Sequence, residues 1–218
     1  MEGEVAIGIS FASEVRMILS WEVQPTEGQV AYPLIAQTEA IVPQSPWPLW
    51  ISDGWDSYGE VLYDRHCVWR TFPRTGKPGR PKEPKQVPHP HLRYVQAVKV
   101  RNRYHQVIGV KPRIVFGRAK KSEITTWCLE RQNLNLRHEN RRLARKTIAF
   151  SKSIMGLRDQ LAFYHGYFNF IRFHWSLRVP LIHAGLKTWR RLTPAMAAGL
   201  SDHPWTMKEF MSFKISLN

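Results

Sequence analysis

The chain has 218 residues, 43% of them hydrophobic, and its 32 lysines and arginines against 17 acids give a formal charge of +15. That length suits one core-bearing domain with attachments or two small ones, and the apolar content excludes a chain disordered throughout. The charge points to a polyanion, and because no apolar run approaches the ~20 residues of a membrane span, nucleic acid is the expected partner and not a bilayer.

Val5 to Phe11 and Arg16 to Val23 are β-prone stretches around Ala12 and Ser13, which predicts a hairpin. Thr26 can cap a helix over about 27–39 with Val30, Leu34 and Ile35 on its apolar face, ended by Pro43, Pro46 and Pro48. Trp47 to Ile51 reads as a buried strand that stops at Ser52, Asp53 and Gly54, and Asp56 can cap a short helix through Leu62. From Arg70 to Pro90, Pro, Gly, Lys and Arg dominate, which predicts a loop or arm. Leu92 to Val100 and Gln106 to Phe116 read as strands with a turn near Asn102. A long helix is expected from Ser122, as N-cap, to about Lys146, with Leu129, Leu136 and Leu143 seven residues apart. A second runs from about Ile154 to Phe173, Pro180 and Gly185 break the chain, and a last short helix begins at Thr193-Pro194. The order fits an α/β sheet with a helical C-terminal part.

Two cysteines, Cys67 and Cys128, cannot make a zinc site by themselves and fit buried or free thiols in a reducing compartment. The N-terminus has no basic stretch followed by an apolar run, so no secretory leader is expected. The nine tryptophans offer stacking surfaces for unpaired bases, although most such rings serve a core.

Three features could carry chemistry. Asp53, in S-D-G-W at a strand end, could hold a metal over a sheet edge, or could simply shape an Asp-Gly turn. Glu130, Asn133, Arg137 and Arg141 follow at intervals of three, four and four, one polar helix face. Such a face could pair an ion-holding carboxylate with phosphate-holding bases, or be an ordinary solvated surface. The stretch Arg70 to Lys121 holds about fifteen Lys or Arg and only Glu83 as an acid, with Trp69, Phe72, Tyr94 and Tyr104 interleaved, which favours phosphate contact. Arg80, between Gly79 and Pro81, could lie in a minor groove.

These pieces resemble a family. Leu129 to Ser153, L-E-R-Q-N-L-N-L-R-H-E-N-R-R-L-A-R-K-T-I-A-F-S-K-S, is similar to the third catalytic block of the insertion-sequence-one transposases. Ile51 to Leu62, I-S-D-G-W-D-S-Y-G-E-V-L, is similar to their second block. Tyr167 to Leu177 and Arg191 to Leu200 resemble the segment that follows the catalytic core in many transposases of the DDE class.

The resemblance implies an RNase H-like mixed sheet flanked by helices, with a catalytic core over 1–69 and 92–153, a basic Pro/Gly-rich insertion over 70–91, and a helical C-terminal extension over 154–218. It makes Asp53 the second and Glu130 the third acid of a triad that binds Mg²⁺ or Mn²⁺ for DNA cleavage and strand transfer. It assigns DNA contact to Arg70, Arg74, Lys77, Arg80, Lys82 and Lys85 in the insertion, and to Asn133, Arg137, Arg141, Arg145 and Lys146 beyond Glu130. His66 takes at most a minor role. The expected partners are double-stranded DNA, as transposon ends and target, and by analogy a second copy on DNA, in the cytoplasm at the nucleoid.

Two departures matter. The interval from Asp53 to Glu130 is longer than in short family members, and the first aspartate has no counterpart ahead of the first hairpin, where Glu2 and Glu4 are too near the terminus to be held rigidly. The expectation is an incomplete enzyme that binds DNA with little or no cleavage, its missing part supplied by an upstream frame or lost by decay. The contrasting reading is a non-catalytic DNA-binding repressor of transposition. A basic RNA-binding protein fits the charge but leaves the S-D-G-W and Glu130 blocks unexplained.

Overall fold

The computed structural model describes residues 5–43, 45–73, 82–124, 127–143, 151–183 and 186–214. In chain order these form β1 (Ala6–Ala12), β2 (Met17–Gln24), α1 (Ala31–Ile41), β3 (Leu49–Asp53), α2 (Ser57–His66), β4 (Cys67–Arg70), β5 (Lys85–Pro88), β6 (Arg93–Arg101) and β7 (Val107–Phe116). Then come α3 (Trp127–Glu139), α4 (Ile154–Gly166), β8 (Arg178–His183), β9 (Leu186–Arg191), α5 (Pro194–Ala197) and α6 (Met207–Ser212). The chain is therefore of mixed α/β class, and it divides into two compact units: residues 27–127, and residues 1–26 together with 128–218.

In the 27–127 unit a three-stranded mixed sheet has the order β3-β6-β7, with β3 parallel and β7 antiparallel to β6. A parallel neighbour requires a crossover, and α2 supplies it. Leu62 of α2, Ile35 of α1, Leu92 and Tyr94 are fully buried together, with Trp47, Trp50, Tyr58 and Phe116 packed around them. Glu39 of α1 ties the two helices: its carboxylate accepts from Arg65 Nη2 and pairs with His66 Nε2, each at 2.6 Å. Gly117 ends β7 at φ +68°, where an added Cβ would stand 2.5 Å from the Leu92 carbonyl oxygen; only glycine fits there.

In the other unit, β1 and β2 form an antiparallel hairpin with a bulge at Ser10/Phe11. Ile18 and Val23 of the hairpin share a core with Leu136 of α3, Leu157, Leu161 and Tyr164 of α4, and Phe168. Ser153 caps α4 by accepting from the Gly156 amide, and Thr193 caps α5 by accepting from Met196. After Gly166 the helix widens into a π-helical turn, Tyr167–Ile171, closed by the Arg172 amide donating to the Tyr167 carbonyl at 3.0 Å. A capping box between Thr206 and Glu209 starts α6.

Several expectations change in detail. Thr26 does not cap α1, which is preceded by a 3₁₀ turn over Glu27–Gln29 and has Val30 at its N-cap without a side-chain bond. Asp56 stands at the N-cap of α2 but its carboxylate is taken by Arg113 and by Gln96 Nε2 at 3.3 Å, so it does not cap. The β3 strand is half-buried, not buried. The ends of the expected arm, Cys67–Arg70 and Lys85–Pro88, pair as an antiparallel ribbon. The expected helix from Ser122 is shorter: Ser122 lies in a 3₁₀ turn, α3 ends at Glu139, and the rest of the expected span, 144–146, lies outside the described residues. The C-terminal segment holds, besides its helices, the hairpin β8–β9 around the expected break.

Candidate catalytic carboxylates and nucleic-acid interface

Asp53 closes β3, one register step past Ser52, opposite Ala97 of β6. Its side chain is exposed, and Oδ1 accepts a long bond, 3.3 Å, from the Trp55 amide. The Asp-Gly turn expected from the sequence is therefore present, and it leaves the carboxylate pointing into solvent. Below it, Ser52 Oγ and the Tyr94 hydroxyl lie 2.7 Å apart. Burial, with Asp53's negative charge second, pushes the Tyr58 hydroxyl up to about 12, and burial raises Tyr94 as well. Both phenols thus stay neutral. An open cleft of about 560 Å³ nearby is lined by Asp56, Glu60, Asp64, Gln96 and Phe116, and Asp53 is not among its walls.

Glu130 lies in the first turn of α3, exposed. Asn133, half-buried, and Arg137, exposed, follow on the same helix at three and seven residues, so the predicted polar face holds to that point. Arg141 does not continue it: α3 ends at Glu139 and Arg141 enters a 3₁₀ turn, Arg141–Leu143. At that exit the Asn140 side chain turns back onto the Leu136 carbonyl at 2.9 Å, which its own amide also reaches at 3.2 Å. Asp53 belongs to the 27–127 unit and Glu130 to the other. Among the described residues no group of three or more His, Cys, Asp or Glu side chains converges as a metal site.

The basic insertion is represented by its two ends. Arg70 stands directly opposite Lys85 across the β4–β5 ribbon. Three cations gather on one ring, with Arg70 Cζ at 5.5 Å, Lys82 Nζ at 5.7 Å and Lys85 Nζ at 6.0 Å from the centre of Phe72. Trp69 is exposed on the same ribbon. Arg74, Lys77 and Arg80, like Arg145 and Lys146, lie outside the described residues. His66 is engaged in the fold, between Glu39 and the edge of Trp47 at 5.1 Å, and does not face Asp53's turn.

Two basic elements beyond these were not singled out in the sequence by residue. The outer part of the β6–β7 hairpin carries Lys99, Arg101 and Lys111 past the last residue paired to β3, and Arg113 stands opposite Gln96 just before that point. Its tip is fixed by Asn102, whose Oδ1 accepts from the amides of Tyr104 at 2.9 Å and Gln106 at 3.0 Å. The second element is β8–β9, which carries Arg178, Arg190 and Arg191 together with Trp189.

Among the described residues no helix is long and apolar enough to cross a membrane. No curated protein and no solved structure matches the chain. Residues 111–169, a segment that contains Glu130 and the whole block to Ser153 but not Asp53, match the family model of the IS1 transposase, and over that segment the resemblance read from the sequence holds.

Proposed function

We propose that this chain is the catalytic domain of a DNA transposase of the insertion-sequence-one type, built on an RNase H-like sheet, with Asp53 and Glu130 as two of its metal-holding carboxylates. The observation that carries the reading is Glu130, exposed in the first turn of α3 within the segment that matches the IS1 transposase model. Asp53 supports it by its place at the end of a strand in a mixed sheet.

Exposed carboxylate oxygens suit a hard cation such as Mg²⁺ or Mn²⁺, which when bound would stabilise negative charge on the phosphoryl group. Two carboxylates are fewer than a self-sufficient seat needs, so in this reading the pair is part of a larger set. Among the described residues β3 pairs with β6 alone, which leaves its other edge, beside Asp53, for a strand bearing the first aspartate. Asn133 and Arg137 hold phosphate along the helix face that Glu130 begins. Arg70, Lys82 and Lys85 draw in and orient the duplex, with Arg74, Lys77 and Arg80 between them and Arg141, Arg145 and Lys146 beyond α3.

The test is Mn²⁺ binding by the purified chain on a duplex, read by paramagnetic resonance, with residual nicking assayed in parallel. The expected result is duplex binding, weak Mn²⁺ retention lowered by Asp53→Asn and by Glu130→Gln, and little or no nicking. Retention unchanged by both substitutions would leave the metal reading without support and favour a repressor that occupies DNA without metal chemistry. Vigorous Mg²⁺-dependent nicking abolished by Asp53→Asn would show that the set of ligands is complete.

A further inference from the structure

The hairpin β8–β9 sets Arg178 directly opposite Arg191. Like charges facing each other across a ladder destabilise it, so the arrangement calls for a counter-charge. The chain supplies none there: no acid occurs between Asp159 and Asp202, and among the described residues neither guanidinium meets a carboxylate. Both arginines are exposed.

Each is nevertheless held in place. Arg178 Cζ lies 4.6 Å from the centre of the Trp189 ring, and Arg191 Cζ lies 4.7 Å from that of Trp175. Trp189 pairs with Pro180, so it stands two residues from Arg191 on its own strand and diagonal to Arg178; the three share one face of the hairpin. Trp175 is 73% exposed and Trp189 46%, so neither indole is a core residue. Arg190 points to the opposite face, where its Nη2 donates to the Asp202 carbonyl at 3.0 Å, and takes no part.

A guanidinium resting on an aromatic face keeps its edge of N–H groups directed outward, and that edge matches a phosphate oxygen pair. Two such edges at cross-strand spacing, repelling each other until an anion enters, make a pre-organised oxyanion seat. We propose that Arg178 and Arg191, propped by Trp189 and Trp175, bind the phosphodiester backbone of duplex DNA. The inference rests on the DNA reading given above but uses residues in neither the carboxylate pair nor the basic insertion.

The experiment measures affinity for a labelled duplex over a salt series, for the full chain and for the double variant Arg178→Gln/Arg191→Gln, alongside urea stability of both. Losing two phosphate contacts should flatten the slope of log K against log salt by about 1.8 and weaken binding about 60-fold at about 0.1 M salt. Stability in the absence of DNA should stay level or rise, because the mutual repulsion is gone. The charge-keeping Arg178→Lys/Arg191→Lys variant should recover most of the slope. If the parent chain binds the duplex but the Gln variant keeps its slope, this proposal alone falls. A parent chain that does not bind duplex DNA at all overturns the broader reading and this site with it. A weaker variant that has also lost stability marks the arginines as structural, and a slope lost only on anionic vesicles marks the seat as one for lipid headgroups; either overturns the proposal.

Discussion

Asn169 and Ile18 bond to each other in both directions: the Ile18 amide donates to Asn169 Oδ1 at 3.1 Å, and Asn169 Nδ2 donates to the Ile18 carbonyl at 2.8 Å. Both residues are buried, so the side-chain amide acts as one more rung on β2 and locks the hairpin to the helix after α4. Asn169→Ala leaves a buried N–H and C=O without partners and should cost about 2–4 kcal/mol. Urea denaturation checks this; a loss below about 0.5 kcal/mol would mean that water replaces the amide at no cost.

His165 is 4% exposed, has no hydrogen-bond partner on either ring nitrogen among the described residues, and meets the edge of Trp21 at 5.5 Å. Burial alone lowers its pKa from 6.5 to about 4. The native state therefore favours the neutral ring. That stabilisation is complete above pH 6.5 and is lost as pH falls from 6.5 towards 4, by at most roughly 1.4 kcal/mol per pH unit. In His165→Phe this part of the pH slope should vanish. A residual slope of the same sign is expected from His174, which burial, then Arg16 and Arg172, lower in the same direction. Identical slopes for parent and variant would show that the imidazole is solvated.

Glu39 accepts from Arg65 Nε at 2.7 Å as well as Nη2, and pairs with His66 on its other oxygen. Its side chain is only 9% exposed. Glu39→Ala strands Arg65 and His66 at the α1–α2 junction and should cost about 2–3 kcal/mol, and Glu39→Gln, which keeps the shape, about half of that. Thermal unfolding of both variants measures it; equal effects would assign the loss to packing and not to charge.

For the β4–β5 ribbon, changing Arg70, Lys82 and Lys85 together to Gln should lower the salt slope of duplex affinity by about 2.7, if each meets one phosphate. Phe72→Leu keeps the charges but removes the ring they share, and should weaken binding with little change in slope. A triple variant with the parent slope would make the ribbon a bystander.

What was legible in the sequence was whatever repeats locally. The hairpin β1–β2, the strand ending at Asp53, the turn at Asn102 and the helix after Ser153 follow from alternation, caps and turn residues. The β8–β9 hairpin was not, because Pro180 reads as a break, yet it sits inside β8 opposite Trp189. The early end of α3 was missed for a different reason: the heptad of Leu129, Leu136 and Leu143 continues past it, although Asn140, whose side chain bonds back to the Leu136 carbonyl, marks the point where the helix gives way to a 3₁₀ turn. Of the candidate site, Asp53 and Glu130 could be named from block resemblance, and their exposure follows from the structure. Cross-strand partners such as Arg178 and Arg191, thirteen residues apart (191 − 178), depend on register, which composition does not fix.

The widened turn at Tyr167–Ile171 makes this stretch intolerant of length change. Excising a single residue between Gly166 and Asn169 would let the coil relax to ordinary pitch, yet it would rotate and draw back the carboxamide along the axis. The rung on Ile18 would then point elsewhere, and the ring of Phe168 would leave the hydrophobic cluster it shares with Leu161. Variation among natural relatives should accordingly substitute residues here freely at exposed sites while conserving their number.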